Sequence, residues 1–410
     1  MKRFVYSDNA ATTPISENVY NAMLPYLKGD GYGNPSSLYS IGVREKQAVR
    51  RARNQVEKAI GAEVRTDPYS NIKEVIFTSG GSEADNLAIK GVLFGGALKK
   101  GKNHIITTKI EHHAILHTCE FCEKALGCEV TYLDVDEQGH VDLKQLEESI
   151  TDRTALVSVM AANNEIGTIQ PLKEIADICH RKGTLFHTDA VQGIGHMKID
   201  VQEMGIDLLS LSGHKIRGPK GTGALYCRKG IPLEPLIHGG GQESNKRSGT
   251  ENVAGIVGLG EAIRAATENM DTVLPYVRGL RERLTEGILK IPYTRLTGDP
   301  VNRLPGTASF VIECVEGEGL ILMLDQFGIC ASTGSACSTG SLDPSHVLMS
   351  IGLPHEIAHG SLRITLGEQN TIEDVDYIIE KVTQVVERLR SMSPVWEDKM
   401  KGRESLKLFD

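Results

Sequence analysis

The sequence predicts an α/β protein: a mostly parallel sheet with helices on both faces, followed by a smaller α+β domain. Three observations carry this prediction. Short apolar runs alternate with helix-periodic segments through roughly the first 250 residues. Polar residues collect at the C-terminal ends of those runs, where ligands sit in open parallel sheets. From about residue 255 the texture shifts to longer helices and a few strand-like runs.

Taken in order, residues 43–60 carry Val43, Ala48, Ala52, Val56 and Ala59 at the spacing of an amphipathic helix. EVIFTSGG at 74–81 reads as a buried strand running into a glycine turn, and SEADNLAIKGVLFGG reads as the helix after it. HIITTKIEHHAI, EVTYLDVD, TALVSVMAAN, TLFHTDAV and DLLSLSGHK are further strands with polar ends, and LKEIADICHRKG at 172–183 is a helix between two of them. VAGIVGLGEAIRAATENM and PYVRGLRERLTEGIL read as helices; ASFVIECV, FGICASTG and SLRITLG read as strands. TIEDVDYIIEKVTQVVERLRSM closes the domain as a helix, capped by Thr371 or Asn370, with Glu373 and Asp374 in its first turn. The expected limits are 15–254 for the large domain, 1–14 with 255–395 for the smaller one, and 396–410 for a polar, loosely held tail.

With 410 residues, 40% hydrophobic and 24% charged, the chain can bury a substantial core. That excludes a disulfide-stapled miniprotein and argues against wholesale disorder. A net charge of −8 does not suggest a nucleic-acid binder, which needs a basic face. No apolar run approaches the roughly 20 residues of a membrane span. The opening Met1-Lys2-Arg3-Phe4 lacks the apolar core of a signal peptide, so the cytoplasm is the expected location. The 8 cysteines are irregularly spaced and read as free thiols of a reducing compartment. Cys119 and Cys122 lack a second close pair and read as helix cysteines; Cys330, flanked by apolar residues, reads as core.

Seven stretches carry chemistry. TSGGSE at 78–83 links a strand to a helix and offers successive N–H groups with a hydroxyl, a cradle for an anion; the plain alternative is a capped turn. Asp189 ends one strand run, and Lys215 ends another, beside Ser212 and His214. A lysine there can form a Schiff base with an aldehyde cofactor, and Asp189 can hold a pyridinium nitrogen, with Gly81 and Ser82 on the phosphate. His112, in EHHA, sits where it can stack on a ring and move protons, and Asn164 ends another strand; surface or supporting histidines are the alternative. GSACSTGS places Cys337 in a small, polar, flexible setting that suits a travelling nucleophile better than a structural thiol. Arg363 in SLRITLG can grip a carboxylate in a bidentate pair.

Together these motifs resemble the pyridoxal-phosphate cysteine desulfurases of class I, the NifS/IscS-like branch of the class-V aminotransferase family. The likeness runs for about 390 residues through DNAATT, GNPSS, FTSGGSEADN, EHHA, NNEIGTIQP, HTDAVQ, SGHKIRGPKGTG, GGGQE…RSGTEN, TGSACSTGS and SLRITLG. The resemblance implies the aspartate-aminotransferase-like fold type I, with a seven-stranded mostly parallel sheet in the large domain. It implies pyridoxal 5′-phosphate as cofactor and conversion of L-cysteine to L-alanine, with the sulphur left as a persulfide on Cys337. Lys215 corresponds to the Schiff-base lysine, Asp189 to the pyridinium partner, and Gln192 to a donor to the ring hydroxyl. Gly81, Ser82, Ser212 and His214 correspond to the phosphate side, with Thr250 reaching the cofactor of a neighbouring subunit in a homodimer. His112 corresponds to the stacking acid/base, and Asn34, Asn164 and Arg363 to substrate contacts. The Cys337 loop, about 328–345, is implied to swing out to an iron–sulphur scaffold protein or another sulphur acceptor. No resident metal is implied, only transient ligation of a 2Fe–2S cluster by Cys337 shared with the scaffold. Neither nucleic acid nor membrane is an expected partner. Tyr39 stands where many relatives have histidine. An aminotransferase, a selenocysteine lyase and a non-catalytic scaffold are the rival readings.

Overall fold

The computed structural model describes residues 3–29, 31–64, 73–334 and 344–402. Its strands are β1 Val5–Tyr6, β2 Val75–Thr78, β3 His104–Thr108, β4 Glu129–Leu133, β5 Thr154–Ser158, β6 Leu185–Asp189, β7 Leu208–Ser212, β8 Gly223–Cys227, β9 Thr294–Leu296, β10 Thr307–Ile312, β11 Ile329–Cys330 and β12 Ser361–Thr365. Seven of them form the large sheet, in the order β2-β8-β7-β6-β5-β3-β4. Pairing is parallel from β7 through to β4, while β8 runs antiparallel to both its neighbours.

Both faces of this sheet are buried, and strand alternation divides its side chains between two cores. Phe77, Ile106, Val157 and Leu209 point into one core, with the helices Ser40–Ala59, Leu172–Arg181 and Val253–Glu268. Their neighbours Ile76, Ile105, Leu156 and Leu208 point into the other, against Gly81–Val92 and His113–Leu126. The near-continuous apolar runs of the sequence are the consequence of this two-sided burial.

The smaller unit is built on the antiparallel sheet β12-β10-β9. The helices Met270–Ile288, Gly317–Gln326 and Ile372–Ser391 bury Leu284, Leu324 and Val382 against Phe310 and Ile312. Thr371 is the cap of the closing helix, in a reciprocal box with Asp374. β1 pairs in parallel with β11, which ties the N-terminus to this unit.

Two packing relationships bear on the expected limits. The helix Val253–Glu268 buries Val253, Ile256, Leu259 and Ile263 in the core of the large sheet. At the start of the tail, Pro394–Met400 is a helix capped by Ser393. Trp396 meets Tyr293 edge-on at 5.6 Å and Arg390 lies 4.3 Å from its ring centre, while Lys399 pairs with the buried Glu313. Residues 403–410 lie outside the described residues. Among the described residues, no helix is long and apolar enough to cross a membrane.

Candidate active site

The C-terminal ends of β6 and β7, the start of the helix Gly81–Val92, and a loop from the N-terminus enclose a cavity of about 400 Å³. The topology dictates this convergence, because parallel strands deliver their polar ends to one edge. Ten of the thirteen site residues read from the sequence line it: Gly81, Ser82, His112, Asn164, Asp189, Gln192, Ser212, His214, Lys215 and Arg363.

Lys215 ends the short turn after β7, and its Nζ donates to the carbonyls of Ala10 and Ala11, the latter at 2.9 Å. Gln192 Nε2 donates to the same Ala10 carbonyl at 3.0 Å. The DNAATT segment is thus the rest for the lysine. Asp189 ends β6, where its Oδ1 accepts the Val191 N–H at 2.9 Å. Burial raises its pKa, and the Val191 N–H and the Lys215 charge pull it back. Beside it, Asp85 is buried, and its Oδ1 lacks a hydrogen-bond partner among the described residues. Burial and then the Asp189 charge hold Asp85 well above the usual carboxylate range.

His112 caps the helix His113–Leu126, its Nδ1 accepting the Ala114 N–H at 3.1 Å. That leaves the ring proton on Nε2. Burial, followed by the charge of Lys215, lowers the pKa of His112 to about 4, so the ring is neutral at physiological pH. His113 turns elsewhere, packing between His117 and His346 with ring centres 5.0 and 4.8 Å away. Behind them Glu111 is buried, accepting from Thr108 Oγ1 at 2.8 Å and Met160 N at 3.0 Å, and burial pushes it up to about 8.

Arg363, on β12, crosses from the smaller unit into the cavity. It is 4% exposed; Nη2 meets Asp8 Oδ1 at 3.1 Å and Nη1 donates to the Asn164 carbonyl at 3.0 Å. Its buried Nε has no partner among the described residues. An oriented guanidinium with a donor to spare suits a small carboxylate.

The remaining three residues are not in the cavity. Asn34 is exposed and its Oδ1 accepts the Ser36 N–H at 2.9 Å, so it does not reach the cavity of its own chain. Thr250 is exposed on the surface. Cys337 lies outside the described residues, as does half of the loop drawn at 328–345. Cys330 is partly buried on β11. Cys119 and Cys122 are buried among apolar side chains, and burial pushes the Cys122 thiol up to about 12, which makes both poor ligands. Among the described residues no group of three or more His, Cys, Asp or Glu side chains can hold a metal ion. Sequence reading did not identify Asp8, Asp85, Glu111 or the Ala10 and Ala11 carbonyls.

The cavity fits pyridoxal phosphate on its own features. No side chain caps the helix Gly81–Val92, so its first N–H groups are offered to an anion beside Ser82. A Cβ at Gly81 would stand 2.6 Å from Val191 Cγ2, narrowing the same cradle. A buried carboxyl and a resting lysine complete the set for a pyridine ring and an aldehyde. Fold and site together define a fold type I pyridoxal-phosphate enzyme.

The comparisons agree. The aminotransferase class-V family profile matches residues 5–378. The chain is 56% identical over 407 residues to the cysteine desulfurase IscS of Clostridium botulinum, covering 98% of this chain and 100% of the relative. It is 54% identical over 391 residues to the cysteine desulfurase IscS of Methanosarcina thermophila, covering 95% and 94%. Among solved structures, a NifS-like protein superposes with a TM-score of 0.86 at 37% identity, over 94% of this chain and all of that one. SspA in complex with cysteine superposes with a TM-score of 0.77 at 36% identity, over 89% and 99%. The chain belongs to the class-V aminotransferase family, in its NifS/IscS-like cysteine desulfurase branch.

Proposed function

We propose that this chain is a pyridoxal-phosphate cysteine desulfurase that takes sulphur from L-cysteine onto Cys337 and releases L-alanine. The observation that carries the reading is the meeting of Lys215, Asp189, His112 and Arg363 in one cavity sized for a cofactor and a small amino acid. When bound, the cofactor supplies a carbonyl for capture of the substrate amine and a ring that withdraws electrons from its Cα.

The chain's own residues do the rest. Gly81, Ser82, Ser212 and His214 would hold the phosphate side, Asp189 the ring nitrogen, and Gln192 would donate to the ring hydroxyl, with Asn164 making a further cofactor or substrate contact. Burial lowers the pKa of His214 to about 4, so it serves as a neutral hydrogen-bond partner, not as a counter-charge. Arg363 Nε and its fork orient the substrate carboxylate. Lys215 Nζ moves a proton at the substrate Cα, and neutral His112 handles the thiol proton through Nε2. In the net reaction the substrate C–S bond breaks and an S–S bond forms at Cys337 Sγ. Cysteine plus the Cys337 thiol becomes alanine plus the Cys337 persulfide, with no outside oxidant or reductant.

By the resemblance of RSGTEN to the family motif, Thr250 corresponds to a contact to the cofactor phosphate of a second subunit, and its exposure in its own chain is compatible with that role. The working form is then a homodimer, and the persulfide passes to an iron–sulphur scaffold protein or another sulphur acceptor, with cytoplasmic location the fitting context. The test is an assay of alanine and sulphide from L-cysteine, with mass spectrometry of the Cys337 peptide. One added sulphur is expected. Undiminished alanine and sulphide production in Cys337→Ala would return the reading to an aminotransferase-type enzyme with a different sulphur fate.

A further inference from the structure

The two ends of the stretch that carries Cys337 meet at one buried carboxylate. Glu165 follows Asn164 in NNEIG and is 5% exposed, yet it does not line the cavity. Its backbone N–H donates to Asn163 Oδ1 at 2.8 Å, and Asn163 Nδ2 donates in turn to the Ile110 carbonyl at 2.9 Å, so the turn beneath it is pinned.

Glu165 Oε2 accepts a hydrogen bond from Ser345 Oγ. The same hydroxyl accepts the N–H groups of Val347 and Leu348 at 3.1 and 3.3 Å, as cap of the helix His346–Ser350. Its lone pairs are occupied, so its only proton must go to Glu165, and the bond has a fixed sense. On the other side, Gly334 abuts the same carboxylate oxygen: a Cβ there would stand 2.6 Å from Glu165 Oε2 and 3.0 Å from Ser345 Cβ. The Gly334 N–H donates to Ser361 Oγ at 3.4 Å, two residues before Arg363 on β12.

A buried carboxyl is expensive to keep unless it has work to do. Burial pushes Glu165 up to about 7, against the pull of the Ser345 bond and the Arg363 charge. Glu165 lies outside the cavity lining and is linked to the substrate side only through the Arg363 charge. What its carboxylate touches are Gly334 and Ser345, on either side of Cys337 in the chain.

We propose that Glu165 is a positioning residue for sulphur transfer: it fixes where the Cys337 stretch leaves and rejoins the active-site wall. It therefore acts on formation of the Cys337 S–S bond and not on loading of cofactor or cysteine. The proposal rests on the reading of Cys337 as sulphur acceptor.

The test is a single turnover of holoenzyme with limiting L-cysteine, quenched in time and read by mass spectrometry of the Cys337 peptide. Glu165→Ala and Ser345→Ala should each slow persulfide formation by about tenfold, the scale set by lost positioning. KM for cysteine and the absorbance change on mixing with cysteine should stay within about twofold, since neither involves the clamp. Glu165→Gln and Ser345→Thr, which keep an acceptor and a hydroxyl, should recover most of the rate. The double variant Glu165→Ala/Ser345→Ala should be no slower than the slower single variant, because both act through one bond. A wild-type persulfide rate in folded, cofactor-loaded Ser345→Ala or Glu165→Ala would overturn the proposal. So would a loss that appears wholly in KM. Cys337→Ala separates the two layers: if it still yields alanine and sulphide at the wild-type rate, the acceptor reading fails whatever Glu165 does.

Discussion

Asp8 Oδ1 lies 3.1 Å from Arg363 Nη2, joining residues 355 positions apart in a part-buried ion pair at the cavity wall. Ser332 Oγ donates to the other carboxylate oxygen of Asp8 at 3.0 Å, so the acid is itself held. This pair orients the guanidinium and leaves Nε for a ligand. Arg363→Lys keeps the charge and loses the planar fork, so KM for L-cysteine should rise on the order of 10- to 100-fold. Asp8→Asn should raise KM by a smaller factor, about threefold to tenfold, because the Asn164 carbonyl still holds Nη1. Steady-state kinetics of both variants checks this; an unchanged KM in Arg363→Lys would remove Arg363 from substrate binding.

How much of this was readable beforehand depends on distance along the chain. The parallel strands were visible because burial on two faces makes them continuous apolar runs, and their polar ends named Asp189 and Lys215. β8 was not read: it is antiparallel, five residues long, and GALYC follows a glycine-rich turn that hides its start. Asp8 and Glu165 were passed over for another reason. Their roles exist only through partners on distant elements, Arg363 in one case and Ser345 in the other, and a carboxylate in a polar motif looks like solvent-facing charge. The texture change at 255 reports the composition of the helix Val253–Glu268, whereas the core that helix joins is set by which face it buries.

His112 and His214 on one side and Glu111 on the other contribute opposite pH slopes to stability. His112 and His214 have folded pKa values of about 4, below the unfolded value near 6.5. The unfolded chain therefore binds more protons between pH 6.5 and 4, so their contribution is complete above 6.5 and is lost as pH falls through that window. Glu111 runs the other way. Its folded pKa is about 8 against about 4.5 unfolded, so its contribution is complete at low pH and is lost as pH rises from 4.5 to 8. Apoenzyme melting temperatures from pH 5 to 9 should show both limbs. Glu111→Gln should flatten the alkaline limb, by an amount on the order of 1 kcal/mol per pH unit lost from the slope. An unaltered alkaline limb in that variant would contradict the assignment.

Gly223 tests the backbone packing under the anion cradle. It lies on β8, and a Cβ there would stand 2.6 Å from the Leu211 carbonyl oxygen and 2.7 Å from Gly80 Cα. Both neighbours are backbone, so no side-chain rotation can relieve the clash. Gly223→Ala should cost about 2 kcal/mol or more and displace Gly80, whose residue opens the cradle at Gly81 and Ser82. Denaturant unfolding of the apoenzyme, with cofactor retention on dialysis, reads both effects. Wild-type values in both would mean that the β8–turn contact is looser than this geometry requires.

The loop bearing Thr250 is fastened at several points, Arg247 pairing with Glu83 at 2.9 Å among them, and its buried anchor makes its role in assembly testable from a distance. Arg53 Nη2 and Nη1 meet Glu243 Oε1 and Oε2 at 2.7 and 2.8 Å, and Glu243 Oε2 also accepts the Phe77 N–H at 2.9 Å. Arg53 lies on the helix Ser40–Ala59 and Phe77 on β2, so this carboxylate docks the loop onto the large sheet. Glu243→Ala strands the Arg53 charge in the core, at a cost of about 3–5 kcal/mol. Arg53→Met/Glu243→Gln removes both charges and keeps an acceptor for the Phe77 N–H, so it should recover most of that stability. If Thr250 works across a subunit boundary, Glu243→Ala should also shift the dimer toward monomer and speed cofactor loss, whereas the double variant should do neither. Analytical ultracentrifugation and cofactor absorbance, measured on the same samples as the melts, read all three quantities. A destabilised Glu243→Ala that stays dimeric and fully loaded would confine the ion pair to folding and detach Thr250 from the neighbouring site.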